Sequence, residues 1–193
     1  MPKNDAVKRA NVLDQEAISE ALAYIELHST QKLRDRLLVL LTCKLGLRAQ
    51  EAALLHAEDI LDLRGDLKKV FFVSKRSAKC GKTRELPMHP LVREALQAYL
   101  DHYKSVRIGP LFTNQFGQPL TASAVHKHLA RIYEAIGLQG CSSHSGRRTF
   151  GTNVIKRNTN IVVLKKLLGH SDIRTTETYV GVTTEEFSVV MGL

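Results

Sequence analysis

Cysteine is scarce in this chain. There are three residues, Cys43, Cys80 and Cys141, far apart and without a CxxC pair. An odd, scattered set gives neither a disulfide framework nor a zinc site, so all three read as ordinary reduced thiols. Long apolar runs are also missing: no stretch approaches the roughly 20 residues needed to span a bilayer. The opening MPKNDAVKRANVLD lacks the apolar core of a secretory signal. These absences place the chain in the cytoplasm, with no membrane partner. No internal repeat and no low-complexity linker is visible. The GKT at Gly81 to Thr83 is not a phosphate-binding loop, because that motif needs glycine where Arg76 stands. No carboxylate cluster suits Mg²⁺, so no metal and no cofactor is expected.

What is present is an ordinary globular balance, 44% hydrophobic and 24% charged residues, far from the composition of disordered chains. A chain of 193 residues can bury about 70% of its unfolded surface, enough for one sizeable core. One domain over residues 1–193 is expected. Lys and Arg number 28 against 19 Asp and Glu, a net charge of +9, with a pI near 9.6. Such an excess suits a polyanionic partner, although counterion release alone makes many basic proteins bind nucleic acid nonspecifically.

Helical spacing dominates the pattern. In LDQEAISEALAYIELH, Asp14 is placed to cap a helix, Leu13 and Ile18 to staple it, and Ala17, Ile18, Ala21, Leu22 and Ile25 to share its apolar face. QKLRDRLLVLLTCKLG gives a second helix ending at Gly46, and AQEAALLHAEDI restarts helical spacing after Arg48. KVFFV and KTRELPM, joined by SKRSAKCG, form the only clear sheet signal and predict a short antiparallel hairpin or meander. Pro90 starts a helix to about Tyr103, and IGPLFTNQFGQPL is a turn-rich connector. Thr121 caps a helix carrying Val125, Leu129, Ile132, Tyr133 and Ile136 up to Gly137, and further helices are expected near 145–157, 161–168 and 172–180. The fold class is mainly α with a small antiparallel β-sheet (α+β).

Residues able to handle an anion recur at helix edges: Arg48; His144, Arg147 and Arg148 in SSHSGRRTFGT; His170 in LLGHSD; and Tyr179 in TTETYV. His144 and Arg147, three apart, share a helix face, and His170 and Tyr179 lie nine apart across a Gly-His-Ser-Asp break. LGLRAQEAALL, HSGRRTFGT and LGHSDIRTTETYV resemble, in order and separation, the three signature boxes of the tyrosine recombinase, or phage integrase, family. The match runs from about residue 14 to 180, and the pairing of LGHS with a tyrosine nine residues after its histidine is its most specific part.

The resemblance implies a catalytic domain that cleaves and rejoins double-stranded DNA without cofactor or metal. Arg48 and Arg147 would grip the scissile phosphate, His144 would accept or relay a proton, and His170 would hydrogen-bond a phosphate oxygen. Tyr179 would be the nucleophile, leaving a 3′-phosphotyrosine and a free 5′-hydroxyl. The hairpin lysine that protonates the leaving oxygen falls on Lys79 by its distance from Pro87, with Lys75 and Lys82 as rivals. Glu51 would orient Arg48 rather than touch DNA. Self-association into a tetramer on paired DNA sites, accessory DNA-bending proteins and a nucleoid setting in a bacterium or phage are further implications. The chemistry agrees: a phosphodiester gains charge at its transition state, and fixed guanidinium forks neutralise it better than lysine. A tyrosine of pKa about 10 is almost wholly protonated at neutral pH and needs a base.

Taken singly, each residue has a plainer role. Arg48 and Glu51 make an ordinary i,i+3 pair, His170 a helix cap, Tyr179 a half-buried ring. Arg148 reads as structural or backbone-contacting. His126 and His128 flank Lys127, do not face each other, and read as a solvated or DNA-facing surface rather than a metal site; Lys165 and Lys166 read as a solvated face. The terminal EEFSVVMGL is apolar enough to pack on this subunit or a neighbour. Where the family places a helical DNA-clamping domain first, almost nothing precedes this region, as in a fragment or a small stand-alone recombinase. Two rivals remain at this point: a type IB topoisomerase-like or telomere-resolving enzyme, and a noncatalytic DNA-binding regulator.

Overall fold

Leu37, Leu38, Val39, Leu40 and Leu41 are apolar in unbroken succession, so a helix carrying them has to be enclosed on every side. The computed structural model, which describes residues 11–74, 76, 83–103, 108–157, 159–170, 172 and 174–177, places them in that way. They lie in α2 (Lys32–Leu45), all five fully buried. Around it run α1 (Gln15–His28), α3 (Ala49–Ala53), α4 (Ala57–Ile60), β1 (Val70–Val73), β2 (Arg84–Pro87), α5 (Pro90–His102), α6 (Ala122–Ala135), α7 (Ser143–Ile155), α8 (Ile161–Leu168) and α9 (Arg174–Glu177). Helix α2 packs chiefly on α7 and α5, and α3 packs on α6. Among the described residues no helix is long and apolar enough to cross a membrane.

The start and stop signals act as local chemistry requires. Asp14 Oδ1 accepts the Ala17 N–H at 2.7 Å, with Leu13 and Ile18 both buried as the staple. Thr121 Oγ1 accepts the Ala124 N–H at 3.1 Å to open α6, and α2 closes on Gly46. The expected single stretch AQEAALLHAEDI is instead two short helices. His56 turns extended (φ −109°, ψ 158°) to bridge Pro110, while Leu111 N–H donates to Leu55 O at 2.8 Å and Ala57 N–H to Gly109 O at 2.9 Å. The connector after α5 thus captures the backbone groups that a continuous helix would have used itself. Helix α7 begins at Ser143, ahead of the expected 145, because the Ser142 N–H donates to Ser145 Oγ at 3.1 Å.

The sheet is the expected antiparallel pair, β1 against β2, with Phe71 opposite Leu86 and Val73 opposite Arg84. These four residues form its buried face. An arginine therefore occupies a position that strand alternation assigns to an apolar side chain.

The contact between α2 and α7 depends on Gly146. A Cβ there would stand 2.6 Å from Thr42 Oγ1, 2.9 Å from Thr42 Cβ and 3.0 Å from Cys43 Sγ. Gly146→Ala is expected to destabilise the fold. Overpacking costs about 1–3 kcal/mol, against a helix-propensity gain of about 0.5–1 kcal/mol, and a urea melt reads the difference. A midpoint at or above that of the parent chain would contradict the close approach.

Candidate active site

The site is built around one carboxylate. After Gly46 ends α2, Leu47 buries its side chain and the chain reaches Arg48, the N-cap of α3. Glu51, one turn on and 1% exposed, accepts the Arg48 N–H on Oε2 at 2.7 Å and the Arg48 guanidinium on Oε1 at 3.0 Å. From β2, Arg84 forks onto both oxygens at 2.7 and 2.8 Å. From α7, an Arg147 terminal nitrogen stands 3.6 Å from Oε2. One anion therefore faces three guanidiniums. Burial alone would raise the Glu51 pKa, but the hydrogen bonds and charge of Arg84, with Arg147 and the Arg48 N–H, bring it down to about 2.

Arg147 is buried, and two of its bonds go to main-chain carbonyls left over at helix ends: Gly46 O at 2.5 Å and Leu168 O at 2.6 Å. The Arg48 guanidinium also reaches Leu168 O, at 3.4 Å. The negative end of α8 thereby draws both arginines to one point. Gly169 follows in the left-handed region (φ 64°), and a Cβ on it would lie 3.0 Å from an Arg84 terminal nitrogen. That turn delivers His170.

His170 Nε2 lies 3.2 Å from Arg147 and Nδ1 lies 2.9 Å from Thr176 Oγ1. A guanidinium only donates, so Nε2 is the acceptor and the neutral ring carries its proton on Nδ1. Burial, then the charges of Arg147, Arg48 and Arg84, push its pKa down to about 4. His144 opens α7, exposed as a residue but packed along one side. Its pKa is lowered by desolvation of that side first, then by His126, Arg147 and Arg48.

Arg48, Glu51, His144, Arg147 and His170 are thus brought into one neighbourhood. Lys79 and Tyr179, with the rivals Lys75 and Lys82, lie outside the described residues. So does the terminal segment 185–193. Among the described residues no group of three or more His, Cys, Asp or Glu side chains is arranged to hold a metal ion.

Sequence reasoning missed Arg84. The signal was there: in KTRELPM, Arg84 falls in phase with Leu86, so a charged residue sits on the apolar face and requires a buried counter-charge. His126 and His128, read as a solvated or DNA-facing surface, are half-buried and engaged with neighbouring helices rather than freely solvated. His128 Nε2 lies 2.7 Å from Asp35, which is 1% exposed and bonded by Ser29 and Arg34 as well. Burial raises the Asp35 pKa, and the His128 and Ser29 hydrogen bonds with the His128 and Arg34 charges lower it overall. His126 bonds Ser143 Oγ at 3.1 Å and sets its ring 5.7 Å from that of His144. Helix α6 leaves both histidines half-buried, at the edge of the face that Leu129, Ile132 and Tyr133 bury.

Comparison with known proteins follows the same lines. The model of the phage integrase family matches residues 11–186. Tyrosine recombinase XerD of Corynebacterium glutamicum is 28% identical over 176 residues, covering 89% of this chain and 56% of that protein. XerD of Staphylococcus saprophyticus is 29% identical over 194 residues, covering 96% and 62%. The chain therefore spans less than two thirds of the length of these relatives. Among solved structures, the integrase of transposon Tn1549, in complex with transposon right end DNA, superposes with a TM-score of 0.80 at 21% identity. That match covers 98% of this chain and 67% of the other, a likeness of fold.

Proposed function

Because the chain belongs to the phage integrase family, we propose that it is the catalytic domain of a site-specific tyrosine recombinase acting on double-stranded DNA. The observation that carries this reading is the convergence of Arg48 and Arg147, from separate helices, on the Leu168 carbonyl beside His170. Three guanidiniums against one carboxylate leave a positive surplus where a phosphate would be held, and fixed donors aimed at developing charge are the main resource of phosphoryl transfer.

The roles then follow. Arg48 and Arg147 hold the scissile phosphate, and Tyr179 attacks phosphorus, its phenol proton passing to His144, whose lowered pKa keeps it neutral and able to accept. Lys79 gives a proton to the departing 5′ oxygen. His170 is neutral before DNA arrives. An incoming phosphate anion offsets the surrounding arginines, favours proton uptake on Nε2, and so turns that nitrogen from an acceptor into a donor toward a phosphate oxygen. The phosphotyrosine ester replaces the broken phosphorus–5′-oxygen bond by one of similar energy, so a second 5′-hydroxyl reverses the attack with no cofactor. Pairing of sites calls for a tetramer, with DNA-bending proteins as accessories.

A nicked duplex that loses its 5′-hydroxyl fragment on cleavage tests the reading, using sites selected by binding from a random-sequence pool. Incubation should leave a covalent protein–DNA adduct, and peptide mapping should place it on Tyr179. An adduct on another residue moves the nucleophile, and absence of any adduct with a tightly bound site defeats the catalytic reading.

A further inference from the structure

Arg84 belongs to none of the boxes by which the site is read, yet it is the guanidinium closest to Glu51, gripping both oxygens at 2.7 and 2.8 Å while Arg48 reaches one at 3.0 Å and Arg147 stands at 3.6 Å. Its side chain is 6% exposed, so this is the dry, bidentate ion pair of the cluster, and it takes up most of the carboxylate's charge. The same guanidinium lies under the Gly169 turn that delivers His170.

We propose that Arg84 is a positioning residue of the phosphate pocket. By occupying Glu51 from below, it fixes the carboxylate that aims Arg48 and stops it from closing on Arg147, so that both arginines keep their positive charge for the substrate. Without the fork, Glu51 would have only Arg48 and Arg147 to neutralise it, and the carboxylate would compete directly with the DNA phosphate. A lysine at 84 retains charge but offers a single point donor that cannot hold both oxygens. The inference rests on the recombinase reading, and its test separates the two.

The test compares cleavage of the same nicked duplex carrying either a normal scissile phosphate or a methylphosphonate, in which a methyl group replaces one non-bridging oxygen and removes the charge that the arginines meet. Arg84→Gln should slow single-turnover cleavage of the phosphodiester by about 10–100-fold, the scale of loss when a reacting group is held off its productive geometry, while overall DNA affinity, set by many phosphates, falls by no more than about 3-fold. Arg84→Lys should fall between it and wild type. On the methylphosphonate the deficit of both variants should shrink several-fold. An equal deficit on the two substrates would show a purely structural role, and no deficit on either would show none; each overturns the proposal. Arg84→Lys, with its thermal melt, keeps the test open if Arg84→Gln folds poorly. Absence of adduct with wild type on both substrates defeats the recombinase reading itself, and with it this inference.

Discussion

Arg147→Ala should reduce single-turnover cleavage of the nicked duplex by about 10²–10³-fold or more, the loss that follows removal of one preorganised donor at developing charge. The structure makes the loss double. Arg147 donates to Gly46 O and Leu168 O, so its removal strips the Gly46 carbonyl of that donor, at about 1–3 kcal/mol, and leaves Leu168 O only the longer bond from Arg48. Arg48→Ala separates chemistry from folding. Its side chain is 25% exposed and its bond to Leu168 O is the longer one, 3.4 Å, so it should show a comparable loss of cleavage with a smaller loss of stability. Arg147→Lys should also be crippled, because a lysine ammonium cannot reach both carbonyls and His170 with fixed geometry. Unchanged rates in Arg147→Ala, measured by quench-flow or gel, would remove the phosphate-gripping role.

The helices were legible because their periodicity and caps are local facts: Asp14, Thr121 and Gly46 act as their positions suggest. The convergence of Arg48, His144, Arg147 and His170 was legible only through the family's signature boxes, since nothing local says that residues a hundred positions apart will meet. Two things escaped both routes. The break at Leu54–His56 is imposed by backbone pairing with Pro110 and Leu111, a tertiary override of helical spacing. Arg84 escaped because its phase with Leu86 marks a buried position only once that face of the strand is recognised as the inner one. Its partner, Glu51, lies 33 positions earlier. His126 and His128 were misread for the same reason: Asp35 and Ser143 come from other helices.

Glu51→Gln should cost about 3 kcal/mol of folding stability at neutral pH. Burial would raise the carboxyl's pKa, but the surrounding arginines hold it near 2 against an ordinary 4.5, and each unit is worth about 1.4 kcal/mol. That figure agrees with the roughly 3–5 kcal/mol lost when one partner of a buried ion pair is removed. Glutamine offers one acceptor where the carboxylate has two, and turns an NH₂ toward a guanidinium. Because the folded-state pKa lies below the unfolded one, the contribution of Glu51 is complete above pH 4.5 and disappears as the pH falls toward 2. The stability gap between wild type and Glu51→Gln, followed by urea melts, should therefore be widest at neutral pH and narrow through that window. A gap that stays constant from pH 7 to pH 2.5 would mean that the carboxylate is not what holds the arginines. Added phosphate should raise the melting point of Glu51→Gln more than that of wild type. With its internal anion gone, the guanidinium cluster gains most from an external one that binds the folded chain.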